Sequence, residues 1–227
     1  MIQMFANNAG EHMPEEKSHP PDPTRERLLD EAEKLFAEKG FTAVSVREIT
    51  KAAGSNLAAV NYHFGSKKNL YLAVFRSRWM ARAARVGQPL RDLAQQDKVT
   101  PRQVVHGLAR AFLRGPLTPE ERVLHTKLIA REMENPTEAF EVLAEGQLKP
   151  AMEQSVRLLQ RTLPYALGEE RLKLVVLSIF AQVLYFNFAR PVVSLVTGRG
   201  YDPAFVEELI THITDFTLRG LGLEETA

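Results

Sequence analysis

The sequence predicts an all-α protein, and three observations support this prediction. Apolar residues recur three and four positions apart along most of the chain, which is the spacing of a buried helix face. Three such stretches begin with a capping residue followed by proline, at Thr100, Thr118 and Asp202. No segment shows the alternating pattern of a strand, and no sequence repeat is present.

Composition excludes several classes of protein. The chain has 227 residues, and its 29 basic and 28 acidic residues nearly cancel, so net charge predicts no partner. It has no cysteine, which excludes disulfides and thiolate ligands and fits a reducing cytoplasm. The N-terminus lacks the apolar block of a secretion signal, and the apolar run at residues 174–189 is shorter than the roughly 20 residues of a membrane span. We therefore expect a soluble cytoplasmic protein without membrane contact.

Composition also divides the chain into three predicted parts. Residues 1–23 hold four prolines and scattered charges without periodicity, so they predict a flexible tail. Residues 24–69 predict a domain of three short helices followed by the start of a fourth. Residues 70–227 predict a larger helical domain, and the whole chain is long enough to bury a substantial core.

The three short helices have clear start and stop signals. The first begins at Thr24 and ends at Gly40. The second begins after Ser45, and Glu48 three positions later completes a capping box. After a glycine breaker, Asn56 caps a third helix that runs to about residue 64. Three short helices with a tight glycine turn between the last two match the helix-turn-helix pattern.

The third predicted helix has an outward face without charge. At about 100° per residue, Val60 and Phe64 fall on one side, with Leu57 at its edge, and should pack on the first two helices. The other side holds small and hydrogen-bonding residues: Ala58, Ala59, Asn61 and Tyr62. An ordinary surface helix carries Lys and Glu, yet residues 55–64 include neither. A helix that lies against another surface needs this low bulk with polar tips.

Positive charge is concentrated around these helices. Between Ser45 and Arg85 the chain has eight basic residues and one acidic residue, a net charge of +7. Such a block is typical of phosphate binding, although residues 76–85 could instead run along a connecting helix. Lys67 and Lys68 have no carboxylate close to them in the sequence.

Residues 36–75 bring these features together in the stretch FAEKGFTAVSVREITKAAGSNLAAVNYHFGSKKNLYLAVF. Several short motifs stand at fixed spacing in this stretch. They are Phe36, the Gly40-Phe41 turn, residues 45–49, AAG at residues 52–54, YHF at residues 62–64, SK at residues 66–67, and Leu70. This stretch resembles the DNA-binding domain of the TetR family of bacterial transcriptional repressors. The segment AGSNLAAVNYHFGSK is most similar to the subgroup with a CerR- or CecR-type C-terminal domain.

The resemblance implies roles for individual residues. Ser45 and Arg47 occupy positions where family members touch the DNA backbone, and Lys67 is placed to meet a phosphate at the start of the fourth helix. The recognition-helix positions are Asn56, Leu57, Ala58, Asn61, Tyr62 and His63. Many members have Lys-Gly at positions 57 and 58, so a lysine contact is missing here, and Asn61 could read a base instead. His63 could equally be a partly buried hinge residue.

The rest of the chain predicts further helices. The fourth runs to about Val86, the fifth from Pro101 to Phe112, and the sixth ends before Pro136. A seventh covers residues 137–162, with a kink or split at Pro150. Residues 172–196 are apolar nearly all round, with a kink at Pro191, and the last helix after Asp202 has an apolar stripe. These two C-terminal helices predict a four-helix homodimer interface, as a near-palindromic operator with half-sites about 34 Å apart would require.

A regulator needs something to sense, and two predicted helix faces offer candidates for a small organic effector. Residues 125, 129 and 132 share one face, and residues 182, 185 and 186 share another, in a setting that is mostly apolar. The candidates are Phe112, His125, Ile129, Glu132, Phe140, Gln182, Tyr185 and Phe186. Core packing explains the same residues without any ligand. From the resemblance, effector entry would move the fourth helix like a lever and spread the recognition helices of the dimer.

No motif predicts catalysis, a cofactor or a metal site. The sequence has no Walker or dinucleotide-type glycine loop, no HExxH, no GxSxG and no clustered metal ligands. The alternative to a regulator is a non-catalytic helical adaptor or interaction protein, which would leave the basic block and the uncharged helix face unexplained. We therefore predict a ligand-responsive repressor that binds double-stranded operator DNA as a homodimer.

Overall fold

The computed structural model describes residues 22–223 and contains α-helices but no strand in that range. The first five helices are α1 (Pro23–Ala43), α2 (Val46–Ala52), α3 (Leu57–Phe64), α4 (Lys67–Val74) and α5 (Met80–Ala94). The others are α6 (Pro101–Leu113), α7 (Pro119–Glu134), α8 (Glu138–Leu143), α9 (Lys149–Thr162), α10 (Glu169–Phe188), α11 (Arg190–Thr197) and α12 (Pro203–Gly220). The all-α prediction is confirmed. Most of the predicted tail lies outside the described residues.

The first helix starts and stops slightly differently from the prediction. It begins at Pro23 because Asp22, and not Thr24, is its N-cap, and the Asp22 carboxylate accepts from the Thr24 amide at 2.8 Å. Gly40 kinks the helix instead of ending it, with φ 80° and ψ 168°, and helical turns continue to Ala43. That backbone conformation is open essentially only to glycine, so the residue type at this corner is fixed by geometry.

The second helix is capped as predicted, but its capping box is only half formed. The Ser45 hydroxyl accepts from the Glu48 amide at 3.2 Å. The Glu48 carboxylate does not return to the cap, because it accepts from the Lys39 ammonium at 2.5 Å. That contact lies between α1 and α2, and it lowers the pKa of the Glu48 carboxyl group.

Prolines and π-helical turns interrupt the long helices. The fourth predicted helix is longer than expected, since a π-helical turn at Phe75–Trp79 joins α4 to α5, which ends at Ala94. A second π-helical turn, Ala144–Leu148, stands directly before Pro150, where the sequence predicted a kink or split. Pro191 lies in the first turn of α11, so the predicted kink is a break between α10 and α11.

Buried side chains form two large hydrophobic clusters. The first, the junction cluster, combines α1 to α4 and the first π-helical turn with α7 and α8, and includes Phe36, Ile49 and Leu128. The second, the C-terminal cluster, is formed mainly by α6, α9, α10 and α12. The predicted division between residues 69 and 70 falls inside the junction cluster, so the helix-turn-helix segment packs directly on the C-terminal half.

The outer face of α10 is apolar and exposed. Leu174, Leu177 and Tyr185 are exposed at helical spacing, while Val176 and Ile179 face the C-terminal cluster. By length and composition α10 could cross a membrane, and 22% of its 18-residue apolar window is buried. The expectation that no segment reaches this length is therefore wrong. Within the single chain α10 is buried along one side only, and its opposite side is apolar and exposed.

Candidate nucleic-acid interface

The helix-turn-helix consists of α2, α3 and the short turn between them. Gly54, with φ 61°, lets the chain reverse after α2, and the Asn56 side chain then caps α3 by accepting from the Ala59 amide at 3.0 Å. Gly65, with φ 75°, ends α3 and turns the chain into α4. Val60 and Phe64 anchor the inner side of α3 in the junction cluster.

The outer side of α3 presents the predicted recognition surface with two differences. Ala58, Asn61 and Tyr62 are exposed, and Tyr62 projects furthest, at 84% exposure. Leu57 is 44% exposed, so it belongs to this surface more than to the core. Ala59 was placed on the outer side, which is wrong, because it packs against the junction cluster. The outer face is therefore formed by residues 57, 58, 61 and 62, and it carries no charge.

His63 lies behind this surface. Its side chain is 10% exposed, and its Nε2 is 3.8 Å from the Asp22 carboxylate. Its ring meets Tyr62 edge-on with centroids 4.9 Å apart, and it also meets Phe64. Of the two sequence interpretations, the partly buried position matches the structure, and the ring can hold Tyr62 from behind.

Several cations of the basic block between residues 45 and 85 form ion pairs within the protein, so fewer of them are available for phosphate than the sequence indicated. Lys68 pairs with Glu138 at 2.6 Å, and Arg78 pairs with Glu26 and Asp30, both at 2.7 Å. Arg82 pairs with buried Glu33, and Arg85 pairs with Glu121. The expectation that Lys68 has no carboxylate to neutralise it is wrong, because its partner lies 70 residues away in the sequence.

Arg47 and Lys51 are the cations that remain beside the recognition surface. Both are on α2, both are exposed, and neither makes an ion pair within the described part of the chain. The family resemblance implies a DNA-backbone contact for Arg47, whereas Lys51 was predicted only as one member of the basic block. A spacing of four residues on one helix was the signal for pairing them.

Lys67 has another environment than the predicted one. Its ammonium donates to the carbonyl oxygens of Phe41 and Val44, at 2.8 and 2.7 Å, and lies over the Phe41 ring at 4.4 Å from the centroid. The structure thus turns Lys67 toward the corner between α1 and α2.

Comparison with known proteins decides the family. Residues 101–221 match the family model of the C-terminal domain of the HTH-type transcriptional dual regulator CecR, which covers more than half of the chain. Residues 28–74 match the model of bacterial regulatory proteins, tetR family. The chain belongs to the TetR family of bacterial regulatory proteins.

Relatives and solved structures agree with this membership over nearly the whole chain. CecR of Shigella flexneri is 27% identical over 212 residues, which span 87% of this chain and 92% of that protein. The fold matches TetR-family PfmR of Thermus thermophilus, with TM-score 0.61, 20% identity and coverage of 86% and 95%. It also matches multidrug binding protein EbrR complexed with imidazole, with TM-score 0.52, 21% identity and coverage of 86% and 96%.

Family membership sets the general activity. As a TetR-family member, the protein is a DNA-binding transcriptional regulator and not an enzyme. Within residues 22–223, no group of three or more His, Asp or Glu side chains could hold a metal ion.

The predicted effector residues divide between the two clusters. Ile129 belongs to the junction cluster, whereas Phe112 and Phe186 pack on the C-terminal cluster. Gln182 is half-buried and Tyr185 is exposed on α10, and Phe140 is half-buried on α8. The eight residues thus do not form one group around a single space.

Glu132 is buried and fully engaged by the protein. Its carboxylate accepts from the Tyr71 hydroxyl at 2.6 Å, and from the amide and hydroxyl of Thr137 at 2.9 and 3.0 Å. Burial, followed by this carboxylate, raises the pKa of Tyr71. Because its oxygen atoms already have these donors, Glu132 joins α4 to the α7–α8 connection rather than facing a ligand.

His125 stacks on Trp79, a neighbour that the sequence analysis overlooked. The rings are 4.3 Å apart and nearly parallel, and the Trp79 indole N–H donates to the His125 carbonyl at 3.1 Å. The His125 Nδ1 is buried without a hydrogen-bond partner in the described part of the chain. Burial, and then the nearby charges of Arg82 and Arg122, lower the pKa of His125 to about 3.

The buried, neutral His125 predicts acid sensitivity. Its pKa falls from the ordinary value of about 6.5 to about 3 on folding, so at mildly acidic pH the unfolded chain binds a proton that the folded chain does not. The contribution of this neutral imidazole to the free energy of unfolding is fully present above about pH 6.5 and is lost as the pH falls toward 3. The loss between pH 7 and pH 5 is about 2 kcal/mol.

We expect His125→Phe, which keeps a stacking ring, to remove most of that loss. Urea unfolding at pH 7 and pH 5 measures the effect, with His106→Phe, at a half-buried histidine of α6, as the control. Equal acid destabilisation of the wild type and His125→Phe would contradict a buried neutral imidazole.

Proposed function

We propose that the protein is a ligand-responsive repressor that binds a near-palindromic operator as a homodimer, in the cytoplasm. In this proposal a small organic molecule binds the C-terminal half and releases the DNA. The observation that carries the DNA interface is the uncharged, exposed face of α3 next to the exposed cations Arg47 and Lys51. A face of low bulk can enter the major groove, while the flanking cations reach phosphates.

The recognition surface then has a simple division of roles. Tyr62 and Asn61 reach base edges, and the amide of Asn61 suits adenine. Leu57 and Ala58 offer apolar contact to thymine methyl groups. Ser45 and Asn56 cap α2 and α3 and so direct the N-terminal amides of both helices toward the DNA. His63 supports Tyr62 from behind.

Tyr62→Ala tests the recognition surface. Because this side chain is almost fully exposed, the variant should fold like the wild type, and we expect operator affinity to fall about tenfold or more. Selection of bound genomic fragments supplies the operator, and gel-shift titration at fixed salt measures the affinity. Val123→Ala, an exposed apolar residue on α7, is the control. Wild-type affinity in Tyr62→Ala would place the DNA elsewhere.

The homodimer interface is supported by unpartnered apolar surface on the two long C-terminal helices. On α10, Leu174, Leu177 and Tyr185 are exposed, and on α12 Phe216 is exposed beside His212. A second copy that presents the same faces would cover them in a four-helix arrangement, as a two-fold axis requires.

Leu177→Glu tests this interface. A carboxylate in the centre of the α10 face should turn the dimer into monomers at micromolar concentration, because burying an unpaired charge is costly. Sedimentation velocity measures the mass, and Val123→Glu introduces the same charge on an exposed site of α7. If Leu177→Glu stays dimeric while folded, the interface lies on another surface.

The effector site is proposed where α5, α6 and α7 meet, around Phe112 and His125. Arg122 of α7 donates to the Phe112 carbonyl at 3.0 Å, so these helices are already in contact there. Trp79 of the first π-helical turn contacts the proposed site, because its indole N–H donates to the His125 carbonyl. Tyr71–Glu132 and Arg82–Glu33 then connect the α4–α5 segment to α7 and to α1, so a shift of α7 can reach the helix-turn-helix.

The only tryptophan of the chain reports on this site. Compounds that release the operator in a gel-shift screen of small organic molecules should change Trp79 fluorescence over the same concentration range. We expect His125→Ala to weaken both effects together by about tenfold, and Tyr165→Phe, far along the chain, to leave both unchanged. Operator release without any change in Trp79 emission would move the effector site away from His125.

A further inference from the structure

The C-terminal end of α1 is held by cations from other helices. A helix end leaves four carbonyl groups without partners inside the helix, and basic side chains near the end often bind them. The last turn of α1 has no basic residue of its own. The kink at Gly40, with φ 80°, turns these carbonyl groups outward at the corner before α2.

Two distant side chains supply the missing donors. Lys67, the first residue of α4, donates to the carbonyl groups of Phe41 and Val44 at 2.8 and 2.7 Å. Arg131 of α7 donates to the Glu38 carbonyl at 2.7 Å and covers Gly40. The corner is thus tied at once to the start of α4 and to the C-terminal half.

The two hydrogen bonds and the ring contact occupy most of the Lys67 ammonium. It has three N–H donors, of which two are directed at carbonyl oxygens, and its charge rests over the Phe41 ring. If the ammonium moved away from this place to a phosphate, two carbonyl groups in a half-buried position would lose their donor, which is unfavourable.

The corner that Lys67 holds is directly connected to the DNA-facing residues. Val44 precedes Ser45, which caps α2, and α2 carries Arg47 and Lys51. If the corner were free to move, α2 and the turn leading to α3 would move with it, and both parts must be in place when DNA is bound.

We infer that Lys67 is a positioning residue, which fixes the α1–α2 corner against the start of α4 so that α2 and α3 face DNA together, and that it does not contact phosphate. This inference rests on the proposed DNA interface. It differs from the sequence interpretation, which gave Lys67 a phosphate at the helix start.

The salt dependence of DNA binding separates the two roles. Each phosphate contact that a protein loses reduces the slope of log K against log salt by about 0.9. Loss of positioning lowers affinity without removing a phosphate contact, so the slope stays the same. Lys67→Met keeps the side-chain length and removes the donors. Arg47→Met is the matched control, since Arg47 is exposed and unpaired within the described residues.

Full-length wild type and both variants are titrated with the selected operator at several salt concentrations. For Lys67→Met we expect affinity about tenfold lower or weaker still, an unchanged slope, and a melting temperature lower by about 3 °C or more. For Arg47→Met we expect the slope to fall by about 0.9 and the melting temperature to stay the same. A slope reduced in Lys67→Met as in Arg47→Met overturns the inference, and so does wild-type affinity in Lys67→Met.

Amide hydrogen exchange tests the positioning role of Lys67 in DNA-free protein, so this test does not require the operator. The amides at the start of α2 should exchange faster in DNA-free Lys67→Met than in the wild type, and unchanged exchange there overturns the inference. If Lys67→Met is unfolded, the neutral variant Lys67→Gln replaces it in the salt titration, where we again expect an unchanged slope, and a slope reduced by about 0.9 overturns the inference. A wild type that binds no duplex at low salt would refute the proposed DNA interface, while the exchange result would still decide whether Lys67 fixes the corner.

Discussion

The packing of α1 against both α4 and α7 is the constraint on which the other features depend. Tyr71 of α4 and Phe75 of the first π-helical turn lie in the junction cluster, where the Tyr71 ring meets Phe36 edge-on at 4.8 Å. Each fully buried apolar side chain of this kind contributes about 1.5–3 kcal/mol, so the helices cannot separate at small cost. The helix-turn-helix therefore has a fixed base, and α4 takes part in both halves of the protein.

Buried polar contacts give this packing a defined register. The Tyr71 hydroxyl donates to Glu132, and the Arg82 guanidinium pairs with Glu33, all four residues being buried. A buried polar group that loses its partner still carries the free-energy cost of desolvation. These contacts therefore favour one arrangement of α1, α4, α5 and α7 over shifted arrangements that would break them. The Arg82–Glu33 pair also neutralises a cation that would otherwise enlarge the basic surface.

The two ends of the molecule consequently differ in character. Near α3, small and polar side chains lie beside the exposed cations of α2, which suits a polyanion. On α10 and α12, exposed apolar side chains such as Leu177 and Phe216 suit a second copy of the chain. Between them lie Trp79 and His125, close to the π-helical turn that joins α4 to α5.

The sequence by itself determined the helices, their caps and the uncharged recognition helix, because these signals act within one or two turns of the chain. Ser45 and Asn56 cap as predicted, and the breaks at Pro150 and Pro191 follow from ring geometry. Only the tertiary structure decided the partners of Lys67, which lie 23 and 26 residues earlier in the chain. It also decided that the Glu132 carboxylate accepts hydrogen bonds from Tyr71 and Thr137. Such pairings arise from how helices pack in three dimensions, and no local pattern encodes them.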